Sequence, residues 1–102
     1  SLDNSGTLAA LGSDANALDL QFASVTNQAT GTLYSNGQNL TLHGALNNQG
    51  QLVHNGSGNL VLGGAGSVTN TGAIQTAGQA TLYNGITGAG SVYAQQGMNL
   101  AV

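Results

Sequence analysis

The sequence lacks lysine, arginine, cysteine, proline and tryptophan, and its three acidic residues are all aspartates, so glutamate is missing as well. Glu, Lys and Arg are among the best helix formers and supply the ion pairs of exposed helices. Without Lys or Arg, the chain cannot neutralise nucleic-acid phosphates or dock on anionic lipid. These absences argue against an all-helical fold and exclude nucleic acid as an expected partner.

Long apolar runs are also missing. No stretch approaches the roughly 20 residues needed to cross a bilayer, and no basic segment followed by an apolar one marks a signal peptide. We therefore expect no direct membrane insertion. A hydrophobic content of 40% with a net charge of only −3 differs from the composition of disordered chains. Residues 1–102 are predicted to form a single β-rich unit, and the absence of an initiator Met suggests a segment of a much larger repeat protein.

What the sequence does contain is a repeat. A unit of two apolar residues flanking any residue ends at positions 20, 42, 62, 82 and 102, so that successive copies are 22, 20, 20 and 20 residues apart. The copies are Leu18-Asp19-Leu20, Leu40-Thr41-Leu42, Leu60-Val61-Leu62, Ala80-Thr81-Leu82 and Leu100-Ala101-Val102. Such regularity is the signature of a repeat architecture.

A second unit lies between these copies, with an apolar residue at each end and Asn and Gly in the middle. Three copies have the same length: Leu2-Asp3-Asn4-Ser5-Gly6-Thr7-Leu8, Leu46-Asn47-Asn48-Gln49-Gly50-Gln51-Leu52 and Val68-Thr69-Asn70-Thr71-Gly72-Ala73-Ile74. The copy that begins at Val25 carries two extra residues before its glycine, and the copy that begins at Ile86 has Gly88 in place of Asn. Each period therefore holds three short apolar segments separated by turn residues.

Short alternating segments are typical of strands with one buried face, and Gly or Asn favours the sharp corners between them. A period of about 20 residues leaves no room for a crossover helix. Each strand must then pair with its counterpart in the next repeat. The sequence predicts an all-β fold, a right-handed parallel β-helix of about five rungs with three short strands per rung.

Three internal columns of apolar side chains follow from this register. One contains Leu8, Leu33, Leu52, Ile74 and Val92. A second contains Leu20, Leu42, Leu62, Leu82 and Val102. The third, beside the second, contains Leu18, Leu40, Leu60, Ala80 and Leu100.

The asparagines of the second unit are predicted to stack. They are Asn4, Asn27, Asn48 and Asn70. Asn side chains form hydrogen-bonded ladders in stacked parallel strands, and Asn is also a common corner residue. The spacing leaves both arrangements open, an inward ladder or a row of corner residues.

Residues that could carry chemistry are few. His43 and His54 are predicted to lie on different faces, at the surface or at a corner, and no Cys or carboxylate pair completes a metal site around them. The acids Asp3, Asp14 and Asp19 all fall in the first rung and form no pair across a cleft. We therefore expect no catalysis, no metal and no cofactor.

The tyrosines are the remaining candidates for contact with a ligand. Tyr34, Tyr83 and Tyr93 each follow a residue predicted to point inward, so alternation places them outward. Exposed aromatic residues can anchor a partner. Their expected neighbours along the stack are Val53, Gln75, His43 and Gly63, so no continuous aromatic stripe is predicted.

The two repeat units together resemble the roughly 20-residue repeat of filamentous haemagglutinin-type exoproteins. The residues that carry the resemblance are Leu2–Leu8, Leu46–Leu52 and the phrase Gly37-Gln38-Asn39-Leu40-Thr41-Leu42. The resemblance implies a piece of a large bacterial protein that is secreted by the two-partner route to the cell surface. It implies a structural shaft in an adhesin or in a contact-dependent growth-inhibition toxin. Its implied partners are flanking repeats, an outer-membrane secretion partner, and a receptor or glycan on a host or neighbouring cell.

Two other functions are considered. A carbohydrate-binding or carbohydrate-active β-helix is the alternative, although enzymes of that kind resemble one another in using Arg or Lys, which this chain lacks. An ice-binding solenoid needs a regular outward Thr array. Here Thr26, Thr69 and Thr87 recur at one position, but Asp3 and Asn47 interrupt the row.

Overall fold

The computed structural model describes residues 2–10, 17–20, 22–36, 39–56, 58–83 and 85–100, with side chains described for 2–9, 22–36, 39–56, 58–83 and 85–98. Over these ranges the chain forms short strands and no helix. The strands make three sheets in which every pairing is parallel. The predicted all-β parallel β-helix is therefore confirmed.

Each sheet receives one strand from each turn of the helix. The first sheet contains β1 (Leu2–Asn4), β4 (Ser24–Asn27), β7 (Ala45–Asn48) and β10 (Val68–Asn70). The second contains β2 (Thr7–Ala10), β5 (Thr32–Ser35), β8 (Gln51–His54), β11 (Ala73–Thr76) and β13 (Ser91–Ala94). The third contains β3 (Ala17–Leu20), β6 (Asn39–Leu42), β9 (Asn59–Leu62), β12 (Gln79–Leu82) and β14 (Met98–Leu100).

The described residues thus complete about four turns, and a fifth contributes β13, β14 and a parallel bridge between Thr69 and Thr87. The stacking follows from the alternation of each strand, because one face of a rung points into a space that only the next rung can fill. In β6, for example, Leu40 and Leu42 are buried while Thr41 between them is half-exposed.

The core is a narrow stack of branched apolar side chains. Leu52 pairs with Leu33 on one side and with Ile74 on the other, and all three are buried. The same holds for Leu42, Leu62 and Leu82 in the third sheet, which are buried too. The first sheet adds a column that the sequence analysis did not name, and it consists of Leu2, Val25, Leu46 and Val68.

The predicted columns change at the two ends of the stack. Leu8 lies in register with Leu33 but is 42% exposed, since the first turn covers it on one side only. Val92 pairs with Ile74 and is half-buried. The side chains of Leu18 and Leu20 and the whole of Val102 lie outside the described parts.

The predicted register of the last strand was wrong. Met98, not Leu100, pairs with Ala80, and Leu100 pairs with Leu82 in the place predicted for Val102. The reason is the corner before β14. Thr76 already pairs with Ala94, an offset of 18 residues, and the corners that follow both strands have equal length, so the offset of 18 continues into the third sheet.

The two extra residues of the second repeat leave the stack intact. They form a turn at Ala29 and Thr30 that projects into solvent and is closed by a hydrogen bond from the N–H of Gly31 to the carbonyl of Gln28 (2.8 Å). Thr30 Oγ1 ties the turn to the carbonyl of Ser5 (2.9 Å). The insertion therefore bulges outward, and the strands on either side keep their register.

Leu62 lies at the centre of the stack and is fully buried. Leu62→Ala should lower the free energy of unfolding by about 2–5 kcal/mol, because it removes apolar contacts and leaves a cavity between two rungs. Urea denaturation measures the change. Val61→Ala is the control, since Val61 points outward on the same strand; an equal loss in both variants would contradict the assigned faces.

Candidate functional site

The inward-facing asparagines form a continuous ladder of side-chain amides. Nδ2 of Asn4 donates to Oδ1 of Asn27 (3.0 Å), Asn27 donates to Asn48 (2.8 Å), and Asn48 donates to Asn70 (2.9 Å). Asn27, Asn48 and Asn70 are buried at the ends of their strands. The structure thus decides between the two arrangements that the spacing left open, in favour of the inward ladder.

Each amide also ties one sheet to the next. Nδ2 of Asn48 donates to the carbonyl of Ala73 (3.0 Å), which begins a strand of the second sheet one turn further on. Asn27 makes the same contact with Gln51 (3.0 Å), and Asn70 makes it with Ser91 (2.9 Å). The ladder therefore joins the first sheet to the second at every turn and fixes the height of one rung against the next.

The glycine two residues after each asparagine is required by close approach. A Cβ on Gly72 would collide with the carbonyl oxygen of Gly50, and one on Gly50 would collide with that of Gly31. The same carbonyls accept the N–H groups that carry the backbone ladder round the corner, for example Ala73 N–H to Gly50 (2.9 Å). The pairing of Asn and Gly in the repeat is thus one structural device.

The ladder ends at Gly88, which occupies the next position of the stack beside the Thr69–Thr87 bridge. Gly88 has a φ of 106°, and a Cβ there would collide with the carbonyl oxygen of Asn70. Because side chains rarely adopt this backbone conformation, the fifth copy cannot keep the asparagine. The departure from the repeat seen in the sequence therefore reflects a different corner.

The prediction that His54 lies at the surface or at a corner was wrong. His54 is 0% exposed and points inward at the end of β8, where its Nδ1 lies 2.7 Å from Oγ1 of Thr76. Ser35, its partner in β5, is buried as well. Ser35, His54 and Thr76 form a second polar column, and Thr76 Oγ1 also accepts the N–H of Gly78 (3.1 Å).

Alternation alone could have revealed this column. His54 is two residues past inward Leu52, just as Ser35 follows Leu33 and Thr76 follows Ile74 by two. The polar character of the three residues argued for a corner and outweighed the period of two. Inside the helix they are held by hydrogen bonds, and no buried side-chain nitrogen or oxygen among the described residues lacks a partner.

The other titratable side chains are scattered. His43 follows β6 and is half-buried, so it lies on a different sheet from His54. Asp3 is exposed and accepts a hydrogen bond from Nε2 of Gln28 (2.9 Å), whereas Asp14 and the side chain of Asp19 lie outside the described residues. Where side chains are described, no three His, Cys or acidic residues cluster as they would around a metal ion.

The tyrosines point outward but do not share a platform. Tyr34 is half-buried, and its hydroxyl lies 3.5 Å from Nδ2 of Asn55. Tyr93 is 60% exposed in the same outer column, three rungs away, which is roughly 14 Å at the strand spacing of a sheet. Tyr83 is 47% exposed and follows the third sheet instead. Each tyrosine is therefore an isolated surface aromatic.

Comparison with known proteins adds no relative: no family model, no curated protein and no solved structure matches the chain. Within the described ranges, no helix is long and apolar enough to cross a membrane.

Asn48→Ala tests the ladder. The substitution orphans Nδ2 of Asn27 and Oδ1 of Asn70, and each buried unsatisfied group costs about 1–3 kcal/mol. We expect a marked drop in the free energy of unfolding, measured by urea denaturation. Asn47→Ala is the control, because Asn47 is the outward neighbour on the same strand and should change stability by at most about 0.5 kcal/mol. Equal effects would mean that the ladder contributes nothing.

Thr76→Val tests the second polar column with little change in shape. It removes the hydroxyl that contacts His54 and Gly78, so stability should fall by about 1–3 kcal/mol. Thr81→Val is the matched control, since Thr81 is half-exposed and points outward from β12. A neutral Thr76→Val variant in thermal unfolding would show that the hydroxyl is not needed.

Proposed function

We propose that the chain is a structural segment of the shaft of a large bacterial exoprotein that is secreted to the cell surface and serves in adhesion or in contact-dependent toxin delivery. The observation that carries the proposal is the use of the repeat's polar residues. The asparagines that recur in the sequence are consumed inside the helix, where they bind neighbouring turns. The repeated residues thus build a rod and present no chemistry to solvent.

The way in which turns contact one another supports export before folding. Every strand pairs only with the turns directly before and after it, so the chain can fold turn by turn as it emerges. The absence of cysteine suits passage in an extended state. These features fit the two-partner route that the resemblance to filamentous haemagglutinin-type repeats implies. The proposed partners are flanking repeats, an outer-membrane secretion partner and a receptor or glycan on another cell.

A graft tests this role. Residues 1–102 replace the same length of repeats in the shaft of a two-partner-secreted exoprotein, and surface exposure, fibre length and protease resistance are measured. We expect export, an unchanged fibre length and a protease-resistant segment, because the graft continues the stack.

The control graft carries Leu62→Asp, which buries a charge without a partner at a cost of several kcal/mol. It should be exported but become protease-sensitive within the grafted segment. Retention of the unsubstituted graft in the cell, or degradation as fast as that of the control, would contradict the proposal.

The second candidate function is a carbohydrate-binding module. It is favoured by the exposure of Tyr83 and Tyr93, since aromatic rings with a polar edge suit both apolar and hydrated contacts. A glycan array separates the two functions. The shaft proposal predicts no specific signal from the wild-type chain, whereas a signal abolished by Tyr34→Ala, Tyr83→Ala or Tyr93→Ala would establish the binding module.

A further inference from the structure

We propose that copies of this chain associate head to tail, with the last turn of one helix stacked on the first turn of the next. The inference goes beyond the proposed function, because it requires only the fold and not the secretion route. It rests on three observations: the unpaired edges at both ends of the described stack, the residues that these edges present, and the distribution of charge.

Both ends of the described stack offer strand edges. β1, β2 and β3 pair only with the second turn, and β13 and β14 pair only with the fourth. Each such strand carries a row of backbone N–H and C=O groups along its outer edge, which makes it a template for another strand. Three sheet edges at one end and two at the other lie in the same arrangement around the axis, so one docking satisfies them together.

The side chains at the two ends match when the stack is continued in register. Continuing the columns of the first two sheets would place Leu2 of one copy over Ile86 of another, and Leu8 over Val92. Leu8 is 42% exposed, and Met98 in the third sheet is 43% exposed at the opposite end. Apolar area therefore meets apolar area at both junctions, and stacking removes it from water at about 25 cal/mol per Å².

Charge selects the orientation. All three acidic residues of the chain, Asp3, Asp14 and Asp19, fall in the first turn of the repeat, and no charged side chain occurs after residue 19. Head-to-head docking would bring two sets of carboxylates together, and like charges in contact are unfavourable. Head-to-tail docking sets the acidic turn against an uncharged one, and the resulting heterologous contact does not close on itself.

Sedimentation velocity of the wild-type chain over a wide concentration range is the first measurement. We expect the weight-average mass to rise with concentration through multiples of the monomer mass. A monomer at every concentration would overturn the proposal.

A pair of end variants then fixes the orientation. Leu8→Asp blocks the head and Met98→Asp blocks the tail, so each alone should stay monomeric at concentrations where the wild type associates. An equimolar mixture should form a heterodimer and nothing larger, because it joins the one intact head to the one intact tail. Gln75→Asp is the control; it adds the same charge at an exposed position between the ends and should associate like the wild type.

The alternatives give different patterns. If Leu8→Asp alone stays monomeric while Met98→Asp still forms dimers, the contact is head to head; the reverse result makes it tail to tail, and either result overturns the proposal. Circular dichroism verifies that each variant is folded. If an Asp variant loses its β-sheet signal, Leu8→Gln and Met98→Gln replace it, since they remove the apolar contact without a charge.

Discussion

The hydrogen bond between stacked asparagine amides is the interaction on which the rest of this structure depends. A parallel β-helix must hold each rung at one height and one register against the next, and apolar columns alone specify register weakly, because leucines slide past one another at little cost. Asn48 donates to both Asn70 and Ala73 while it accepts from Asn27. A slip by one residue would turn these amides outward and would leave buried carbonyls without partners.

The glycines and the asparagines solve one problem between them. For the amide to reach the next sheet, the backbone must turn within two residues, and the corners of successive turns then lie so close that no Cβ fits at Gly50 or Gly72. Where the corner differs, as at Gly88, the asparagine disappears with it. The second column, from Ser35 to Thr76, repeats the principle at the far end of the second sheet, with His54 as its central member.

The fold could be predicted from the sequence because its period, its alternation and its corner residues all agree on one architecture. Three features could not. The direction of Asn27 and Asn48 was open because Asn suits both a ladder and a corner. His54 was assigned to the surface because a polar side chain in a core needs partners, and those partners, such as Thr76, come from other turns. The register of Met98 depends on a corner length that spacing between apolar residues does not reveal.

If the asparagine ladder fixes the register of the helix, the side-chain amides themselves should report it. Hydrogen exchange of the Asn Nδ2 protons, followed by NMR, tests this most directly. We predict that the amides of Asn27, Asn48 and Asn70 exchange far more slowly than those of Asn47 and Asn59, which face outward. Equal exchange rates for the two groups would contradict the account, because the amides would then be open to water and could not hold one rung against the next.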